Sequence, residues 1–178
     1  MIRLFAAIAI PEDIGQGLVR RQGGLPGARW RPLEALHITL RFFGEVAETT
    51  ADDLDAELSA ISGEALTLAL EGVGAFGEGD ALGAVWAGVT ETAPLKLLAA
   101  RCESAARRAG LPPDRRAWKP HVTLAYLRGA EPSRVAAWIQ GHNLLKSPPF
   151  RVAGFGLYSS RLGGAGSSYR LEREYPLG

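Results

Sequence analysis

The sequence carries one pattern twice, and this repetition constrains the fold more than any other feature. A His-x-Thr-Leu tetrapeptide begins at His37 and occurs again at His121, 84 residues later. Each copy follows a Trp-basic-Pro tripeptide. Each copy is followed by a helix pattern and then by two strand patterns around a Gly-rich loop, which covers 77–80 in the first copy and 163–166 in the second. Such a period indicates an internal duplication. We therefore expect two equivalent lobes that face each other, each contributing one His-x-Thr strand.

The remaining patterns predict a mixed α+β fold. Runs of apolar and β-branched residues bounded by Gly and Pro predict strands, and apolar residues at helical spacing predict helices. Apart from the two motif strands, strands are predicted at residues 2–10, 66–75, 82–89, 150–159 and 168–175. The clearest helix covers 94–109, where Pro94 fits the first turn and Gly110 the end. We expect one bilobal domain over residues 1–178, long enough to bury a sizeable core.

Composition restricts the class of protein. Hydrophobic residues make up 47% of the chain and charged residues 22%, which is typical of a soluble globular domain and excludes a wholly disordered chain. No apolar run approaches the roughly 20 residues that a membrane-spanning helix needs. The apolar start, Met1–Ile10, lacks a small-residue cleavage site and is interpreted as a first strand. Cys102 is the only cysteine, which fits a reducing compartment, and we expect a cytoplasmic protein.

The net charge of +1 conceals an uneven distribution along the chain. Residues 1–89 carry a net −7 and residues 90–178 a net +8, and 17 of the 20 basic residues are arginine. The planar arginine fork suits phosphate oxygens, so basic residues around the second motif would favour a nucleic-acid end. A bias toward arginine in the genome explains the same numbers, because halves of a sequence need not be halves in space.

The two tetrapeptides suggest acid–base chemistry on a phosphodiester. Side chains two residues apart share one face of a strand, so His37 and Thr39 point the same way, as do His121 and Thr123. Histidine titrates near neutral pH, so one imidazole can be protonated while the other is neutral. Threonine hydroxyls can donate to the non-bridging oxygens of a phosphoryl group held between them. A strained 2′,3′-cyclic phosphate would suit such a site. Spacing alone does not say which histidine is the acid.

Each of these residues also has an alternative interpretation. A strand histidine followed by threonine is commonly a surface or core pair, although a duplicated pair makes this reading weak. Two strand histidines and a carboxylate could bind zinc, but no His or Cys stands at metal-ligand spacing. The third histidine, His142, follows a helix end and is interpreted as a surface capping residue. Cys102 lies on an apolar helix face and is interpreted as a buried structural thiol.

Further candidate contacts lie beside the two motifs. Arg41 continues the His37–Thr39 face at period two and could reach a phosphate, and Arg128 could do so from a loop after the second motif. Tyr126 offers a face on which a nucleobase could stack. Phe42 and Phe43 offer the same surface, although a core role is the more usual one for phenylalanine.

The motifs resemble those of the two-histidine (2H) phosphoesterase superfamily. The similarity covers His37-Ile-Thr-Leu, His121-Val-Thr-Leu, the opening run Arg3–Glu12, the blocks around Trp30-Arg-Pro and Trp118-Lys-Pro, and Leu157–Gly163. It is strongest to the prokaryotic branch that acts on RNA 2′,3′-cyclic phosphates, historically called 2′-5′ RNA ligases. The resemblance implies a bilobal α+β fold, in which two antiparallel sheets with flanking helices surround a central active-site groove.

The resemblance also implies a reaction and roles for the residues. It implies metal-independent hydrolysis of RNA 2′,3′-cyclic phosphate ends to a 2′-phosphomonoester without a cofactor, with His37 as proton donor and His121 as proton acceptor. Thr39 and Thr123 would bind the phosphate. The branch usually carries arginine five residues after the second histidine, where this chain has Tyr126. Arg128 would then supply the missing contact, or the RNA end is held differently.

Other functions remain compatible with the same residues. The chain could be a non-catalytic module that binds RNA ends. It could also be an enzyme of the superfamily that acts on a small cyclic nucleotide, an ADP-ribose cyclic phosphate or a 2′-5′ linkage. Ligation is the reverse chemistry and would use the same site. The expected partner is RNA with a 2′,3′-cyclic phosphate end, tRNA fragments among the candidates, and no membrane. With no long sticky strand edge in the sequence, we expect a monomer.

Overall fold

The computed structural model describes residues 1–164 and 166–178, and Ala165 of the second Gly-rich loop lies outside the described residues. The helices are α1 (Glu12–Val19), α2 (Glu48–Ser59), α3 (Ala93–Arg108) and α4 (Pro132–His142). The strands are β1 (Ile2–Ala9), β2 (Ala28–Trp30), β3 (His37–Val46), β4 (Leu66–Leu68), β5 (Leu70–Phe76), β6 (Ala84–Val89), β7 (His121–Leu127), β8 (Phe150–Val152), β9 (Gly154–Gly163) and β10 (Gly166–Pro176). The predicted α+β class with antiparallel strands is confirmed.

The strands form one large sheet and one small one. The large sheet has eight strands in the order β10-β9-β1-β3-β7-β6-β5, with β2 added beside β7. Among the described residues, the half that contains β3 and the half that contains β7 are joined as neighbouring strands at the pair Ile38↔Val122. The two histidine strands therefore lie side by side at the junction of the two halves, running in opposite directions.

The duplication is visible in the positions of the elements. β3 and β7, β4 and β8, and β5 and β9 each begin 84 residues apart, and so do α2 and α4. The repeats nevertheless exchange strands. The strand β9 of the second repeat pairs with β1, in the half of the sheet that contains β3. The paired strands β5 and β6 of the first repeat lie beside β7, because β6 pairs with β7. The small sheet joins β4 to β8, its counterpart in the other repeat. Each half of the large sheet is thus built from both repeats.

Two strand predictions differ from the structure for one local reason. Residues 66–75 and 150–159 were each expected to form one strand, but each forms two, interrupted at Ala69 and Ala153. The short first parts, β4 and β8, pair with each other, while the second parts enter the large sheet. Sequence patterns alone cannot show this change of partner, because both parts are equally apolar and extended.

The core lies between the sheet and the helices. α2 and α3 pack on each other, α3 also contacts β3, and α4 contacts β5. Ile38 and Val122, at the junction of the two sheet halves, are completely buried. Cys102 of α3 is also buried among apolar side chains, and this burial raises the pKa of its thiol to about 12, as expected of an inert structural cysteine. Within the described residues, no helix is both long and apolar enough to cross a bilayer.

Candidate active site

The alternation of β3 and β7 separates core from cavity side chains in the same way in both motifs. Ile38 and Val122 point into the core and are fully buried. The flanking histidines and threonines are half-buried and line one cavity of about 790 Å³. The structure therefore brings His37, Thr39, His121 and Thr123 together, as the two motifs predict. Six basic side chains also line this cavity: Arg3, Arg31, Arg41, Lys96, Arg116 and Lys119.

Both imidazoles are oriented by the same backbone contact. His37 Nδ1 lies 2.9 Å from the carbonyl oxygen of Ala35, and His121 Nδ1 lies 2.7 Å from that of Lys119. A carbonyl oxygen can only accept a hydrogen bond, so Nδ1 must carry a proton in each ring. The other nitrogen, Nε2, is then the one that exchanges a proton during a reaction. The bond is made to the residue two positions before the histidine in both motifs, which reflects the duplication.

Thr39 is coupled directly to the first imidazole. Its Oγ1 lies 3.0 Å from His37 Nε2. When His37 is neutral with its proton on Nδ1, Nε2 accepts a hydrogen bond from the threonine hydroxyl; when Nε2 is protonated, it donates to the same oxygen. The Trp118 indole donates to the backbone carbonyl of Thr39 at 3.0 Å, which fixes this part of β3. The pair His37–Thr39 is thus held as a unit facing the cavity.

Burial keeps both histidines neutral in the free protein. Burial lowers the pKa of His37 to about 4, the hydrogen bond to Ala35 opposes this change, and the charges of Arg31 and His121 add to it. Burial also lowers the pKa of His121, and the nearby Lys119 charge contributes while the bond to the Lys119 carbonyl opposes. Both rings are therefore predominantly neutral at pH 7, the state that a general base requires.

Aromatic side chains hold the two rings in place. The His37 ring lies 4.9 Å from the Phe5 ring and 5.0 Å from the edge-on Tyr169 ring. The His121 ring meets Phe76 edge-on at 4.7 Å. Such contacts restrict ring rotation and exclude water from one side of each imidazole. They also account for the burial that lowers both pKa values.

A β-bulge interrupts the alternation on which the Arg41 prediction was based. Thr39 pairs with Ala7 but Arg41 pairs with the adjacent Ala6, so Leu40 is an extra residue in β3. Arg41 therefore does not follow Thr39 by simple period two, although it still lines the cavity. Its guanidinium borders the cavity but is engaged by the Glu103 carboxylate, by the Phe42 carbonyl and by the Pro112 carbonyl at 2.7 Å. As a phosphate contact Arg41 stays a prediction, one that would compete with an existing ion pair.

The second motif strand has the same bulge. Thr123 pairs with Trp86 and Ala125 with Val85, so Leu124 is the extra residue in β7. Each bulge turns the fifth residue after the histidine toward the cavity. Phe42 and Tyr126 both line it, and Tyr126 is 46% exposed. Phe43, in contrast, is buried in the core.

Arg128 lies away from the site. It is exposed, follows the end of β7, and its backbone N–H donates to the Gly27 carbonyl at 2.9 Å. It is not among the described residues that line the cavity. His142 is also outside it: its Nδ1 donates to the Trp138 carbonyl at 2.7 Å and its ring stacks on Trp138 at 4.4 Å, as suits a residue at a helix end.

Two basic residues near the histidines were not among the site residues predicted from the sequence. Arg31 is only 4% exposed, lines the cavity and lies between two tyrosine rings. Lys119 holds its ammonium 4.2 Å from the centre of the Trp86 ring, next to His121. Both residues stand in the tripeptides that precede the motifs, and their duplication was the signal that could have identified them.

The basic excess of residues 90–178 is only partly directed at the site. Arg116 and Lys119 line the cavity, whereas other members pair elsewhere: Arg108 with Glu57 and Arg134 with Glu131. Arg3 and Arg31, from the acidic first half, line the cavity as well. The charge of the site therefore does not follow the charge of the sequence halves. Over the part of the chain that the structure describes, no cluster of three or more His, Cys, Asp or Glu side chains could hold a metal ion.

Comparison with known proteins gives the same answer for the whole chain. The family model of the 2′-5′ RNA ligase superfamily matches residues 14–164. Six similar proteins carry the name RNA 2′,3′-cyclic phosphodiesterase. The Archaeoglobus fulgidus protein is 28% identical over 95% of this chain and 97% of its own length, and that of Escherichia coli is 32% identical over 68% and 70%. The Aeropyrum pernix protein is 39% identical, but the match spans only 54% of this chain and 56% of the relative.

Solved structures agree in fold. Escherichia coli LigT complexed with 3′-AMP superposes with a TM-score of 0.80 at 27% identity, covering 99% of this chain and 98% of LigT. The Thermus thermophilus protein TT0787 has the same fold, with a TM-score of 0.81 at 24% identity over 98% of this chain and 97% of TT0787. Because the family model matches residues 14–164, which include both motifs, the chain belongs to the 2′-5′ RNA ligase superfamily.

Proposed function

We propose that this protein is an RNA 2′,3′-cyclic phosphodiesterase that hydrolyses the cyclic end to a 2′-phosphomonoester. The observation that carries the proposal is the pair of imidazoles in one cavity, each with Nδ1 bound to a backbone carbonyl and Nε2 available for proton transfer. The names of the relatives support an RNA 2′,3′-cyclic phosphate as the substrate. Because β3 and β7 come from different repeats, the functional unit would be the entire bilobal domain 1–178.

The reaction needs a base that removes a proton from water and an acid that donates a proton to the leaving oxygen. Nε2 of His121 removes a proton from a water molecule, whose oxygen attacks the phosphorus. The bond between phosphorus and the ribose 3′ oxygen breaks, and Nε2–H of His37 donates its proton to that oxygen. Thr39 and Thr123 donate hydrogen bonds to the non-bridging oxygens, where negative charge increases in the transition state. The product is a 2′-phosphomonoester, and the exchange of one proton with solvent restores both histidines.

Protonation of the histidine that acts as the acid depends on substrate binding. Both imidazoles are predominantly neutral at pH 7 in the free protein. A phosphodiester anion between them favours the charged form of either ring and so raises its pKa. The base is therefore ready before binding, and the acid is protonated together with binding. Assignment of the acid to His37 follows the family resemblance, because both rings have the same backbone contacts.

We expect the pH dependence of kcat/KM to report these lowered pKa values. A bell-shaped profile of kcat/KM reflects the acid and the base of the free enzyme. Since burial lowers the pKa of His37 to about 4 and that of His121 below its ordinary value of 6.5, the maximum should fall below pH 6.5. Above the maximum, kcat/KM decreases as the acid loses its proton. The profile of kcat should lie at higher pH, because the bound anion raises the imidazole pKa.

Initial rates measured between about pH 4 and pH 9 on a cyclic-phosphate oligonucleotide separate the two profiles. A kcat/KM maximum above pH 7 would contradict the lowered pKa values. NMR titration of the two imidazoles in the free protein gives an independent measurement of the same constants.

The reaction and its product can be identified in one experiment. An oligonucleotide with a 2′,3′-cyclic phosphate end should be converted to a 2′-phosphate end, and EDTA should leave the rate unchanged. A 3′-phosphate product would contradict the proposed leaving group. Loss of activity in EDTA, restored by added Zn²⁺, would favour a metal site instead. Tight capture of the cyclic end without product would favour the RNA-end binding module.

The structure favours 2′-5′ ligation as a second candidate activity. Because β3 and β7 run in opposite directions, Phe42 and Tyr126 lie at opposite ends of the histidine pair. An arginine stacks on each: Arg3 lies 5.0 Å from the centre of the Phe42 ring and Arg31 lies 5.6 Å from that of Tyr126. A phosphodiester with a nucleoside on both sides could use both aromatic surfaces. Incubation with a 2′-5′-linked dinucleotide, and with a cyclic end plus a 5′-hydroxyl end, tests both directions.

The same assays distinguish the smaller substrates. A mononucleoside 2′,3′-cyclic phosphate and an ADP-ribose cyclic phosphate lack a second nucleotide, so they cannot use both aromatic surfaces at once. Comparable kcat/KM values for these compounds and for the oligonucleotide would point to a small-molecule enzyme of the superfamily.

A further inference from the structure

Arg31 is a buried cation without a carboxylate partner. It follows β2 and is only 4% exposed, and its Nη2 donates to the Ser167 carbonyl at 2.9 Å. Within the described residues, no Asp or Glu side chain forms an ion pair with it. A guanidinium has five N–H donors, and burying its charge unpaired is costly. A bound anion would supply the missing counter-charge.

Two tyrosines fix the orientation of this guanidinium. Its central carbon lies 5.6 Å from the centre of the Tyr126 ring and 5.3 Å from that of Tyr169. Ring faces attract a cation but accept no strong hydrogen bond from its edge, so the N–H groups that do not contact Ser167 can donate to a ligand.

Arg31 is also close to the first histidine. Both side chains line the same cavity, and the charge of Arg31 contributes to the low pKa of His37. Tyr169 contacts both residues, since its ring meets the His37 ring at 5.0 Å. The other titratable or charged group that acts on His37 is His121. A phosphate placed between the two histidines would thus lie beside the guanidinium.

We propose that Arg31, held between Tyr126 and Tyr169, is the arginine that binds the substrate phosphate in this site. It donates hydrogen bonds to a non-bridging oxygen, next to those from Thr39 and Thr123. This inference rests on the proposed function, because it assigns the ligand of the same cavity. It also explains why Tyr126 stands where the family resemblance predicts arginine: the cation comes from a different strand, and Tyr126 holds it.

This arrangement links binding to proton transfer. In the empty site the Arg31 charge disfavours the imidazolium of His37. A bound phosphate offsets that charge and adds its own negative charge, so the pKa of His37 rises when the substrate is present. The proton that His37 donates is then acquired only in the occupied site.

The test compares Arg31→Met, Arg31→Lys and the matched control Arg29→Met. Arg29 is an exposed residue of β2 that is not among the described cavity residues. Inorganic phosphate is the probe, titrated by calorimetry and by the NMR signals of the two catalytic histidines. We expect Arg31→Met to weaken phosphate binding by roughly 10- to 100-fold, as for a lost charge-assisted hydrogen bond, with a similar loss in kcat/KM. Arg31→Lys should retain only part of the wild-type phosphate affinity and kcat/KM, because an ammonium lacks the planar fork. Arg29→Met should keep the phosphate affinity and kcat/KM within about 2-fold of the wild-type values.

A readout other than affinity separates binding from a structural role. The pKa of His37 in the free protein should rise in Arg31→Met and stay unchanged in Arg31→Lys, since lysine keeps the charge. Unchanged phosphate affinity and unchanged His37 pKa in Arg31→Met, with only a lower melting temperature, would overturn the inference. If Arg31→Met does not fold, a wild-type affinity in Arg31→Lys would overturn it. If phosphate binds through Arg31 but cyclic ends are not hydrolysed, the proposed function fails and this inference stands.

Discussion

His37→Ala and His121→Ala are each expected to reduce kcat on a cyclic-phosphate oligonucleotide by roughly 10²- to 10⁴-fold, the contribution of one general acid or base. Neither ring can substitute for the other, because each is tied through Nδ1 to its own backbone carbonyl. The double variant should be little worse than either single variant, since the two groups act in one concerted step. KM should change less than kcat, because both threonines remain. Initial rates and single-turnover kinetics measure these quantities.

The matched control is the third histidine of the chain. His142→Ala should keep kcat within about 2-fold, because His142 stacks on Trp138 outside the cavity. His37→Asn is a second control, since its amide N–H can still donate to the Ala35 carbonyl while no group can transfer a proton. It should be as inactive as His37→Ala with a melting temperature closer to that of the wild type. Retention of more than about one tenth of kcat in either alanine variant would refute the two-histidine mechanism.

Thr39→Val and Thr123→Val are expected to cost roughly 10²- to 10³-fold in kcat, comparable to the loss of one oxyanion donor. Valine keeps the shape of threonine and the β-branch that suits a strand, so the fold should be retained. Only the hydroxyl that faces the phosphate disappears. Thr39→Val additionally removes the 3.0 Å hydrogen bond to His37 Nε2, and we expect it to be the more damaging of the two. Steady-state kinetics on the cyclic-phosphate oligonucleotide gives both values.

Two variants show whether the hydroxyl is responsible. Thr39→Ser restores the hydroxyl on a less restricted side chain and should recover most of the activity. Thr67→Val makes the same change at an exposed position of β4 and should leave kcat unchanged. If Thr39→Val and Thr123→Val both retain wild-type kcat, the threonines serve only the strand structure and the phosphate is stabilised by other groups.

The sequence predicted the central part of the site because that part depends on local geometry. Alternation along a strand, repeated 84 residues later, is enough to place His37 beside Thr39 and His121 beside Thr123. The α+β class follows from the same patterns of apolar residues. Neither inference requires knowledge of which strands are neighbours.

The prediction for Arg41 extended a local rule past a bulge that the sequence does not reveal. Leu40 and Leu124 are leucines within apolar runs, and nothing in their identity marks an extra residue. A bulge depends on the register with the partner strand, which in β3 is β1 and in β7 is β6. Each extra residue shifts the alternation directly after it, so Phe42 and Tyr126 face the cavity; in β3 a second register shift follows at Phe43.

Arg31 was missed for a different reason. The duplicated Trp-basic-Pro tripeptide marks Arg31 as a residue near the motif, but it does not show that the side chain is buried. Its position depends on Tyr126 and Tyr169, which come from two other strands, and on the Ser167 carbonyl. Likewise, some of the basic residues in 90–178 form ion pairs with acidic residues far away in the sequence, as Arg108 does with Glu57. Charge in a site is a property of the assembled fold.

The exchange of strands between repeats has a consequence for folding. The half of the large sheet that contains β3 is completed by β9 and β10, and the half that contains β7 is completed by β5. Neither half of the chain therefore contains all the strands that stabilise its own histidine. The contacts that complete each half join residues far apart in sequence, which makes folding slow and highly cooperative. Both histidines would become ordered in a single transition, and local damage to either repeat would disable the acid and the base together.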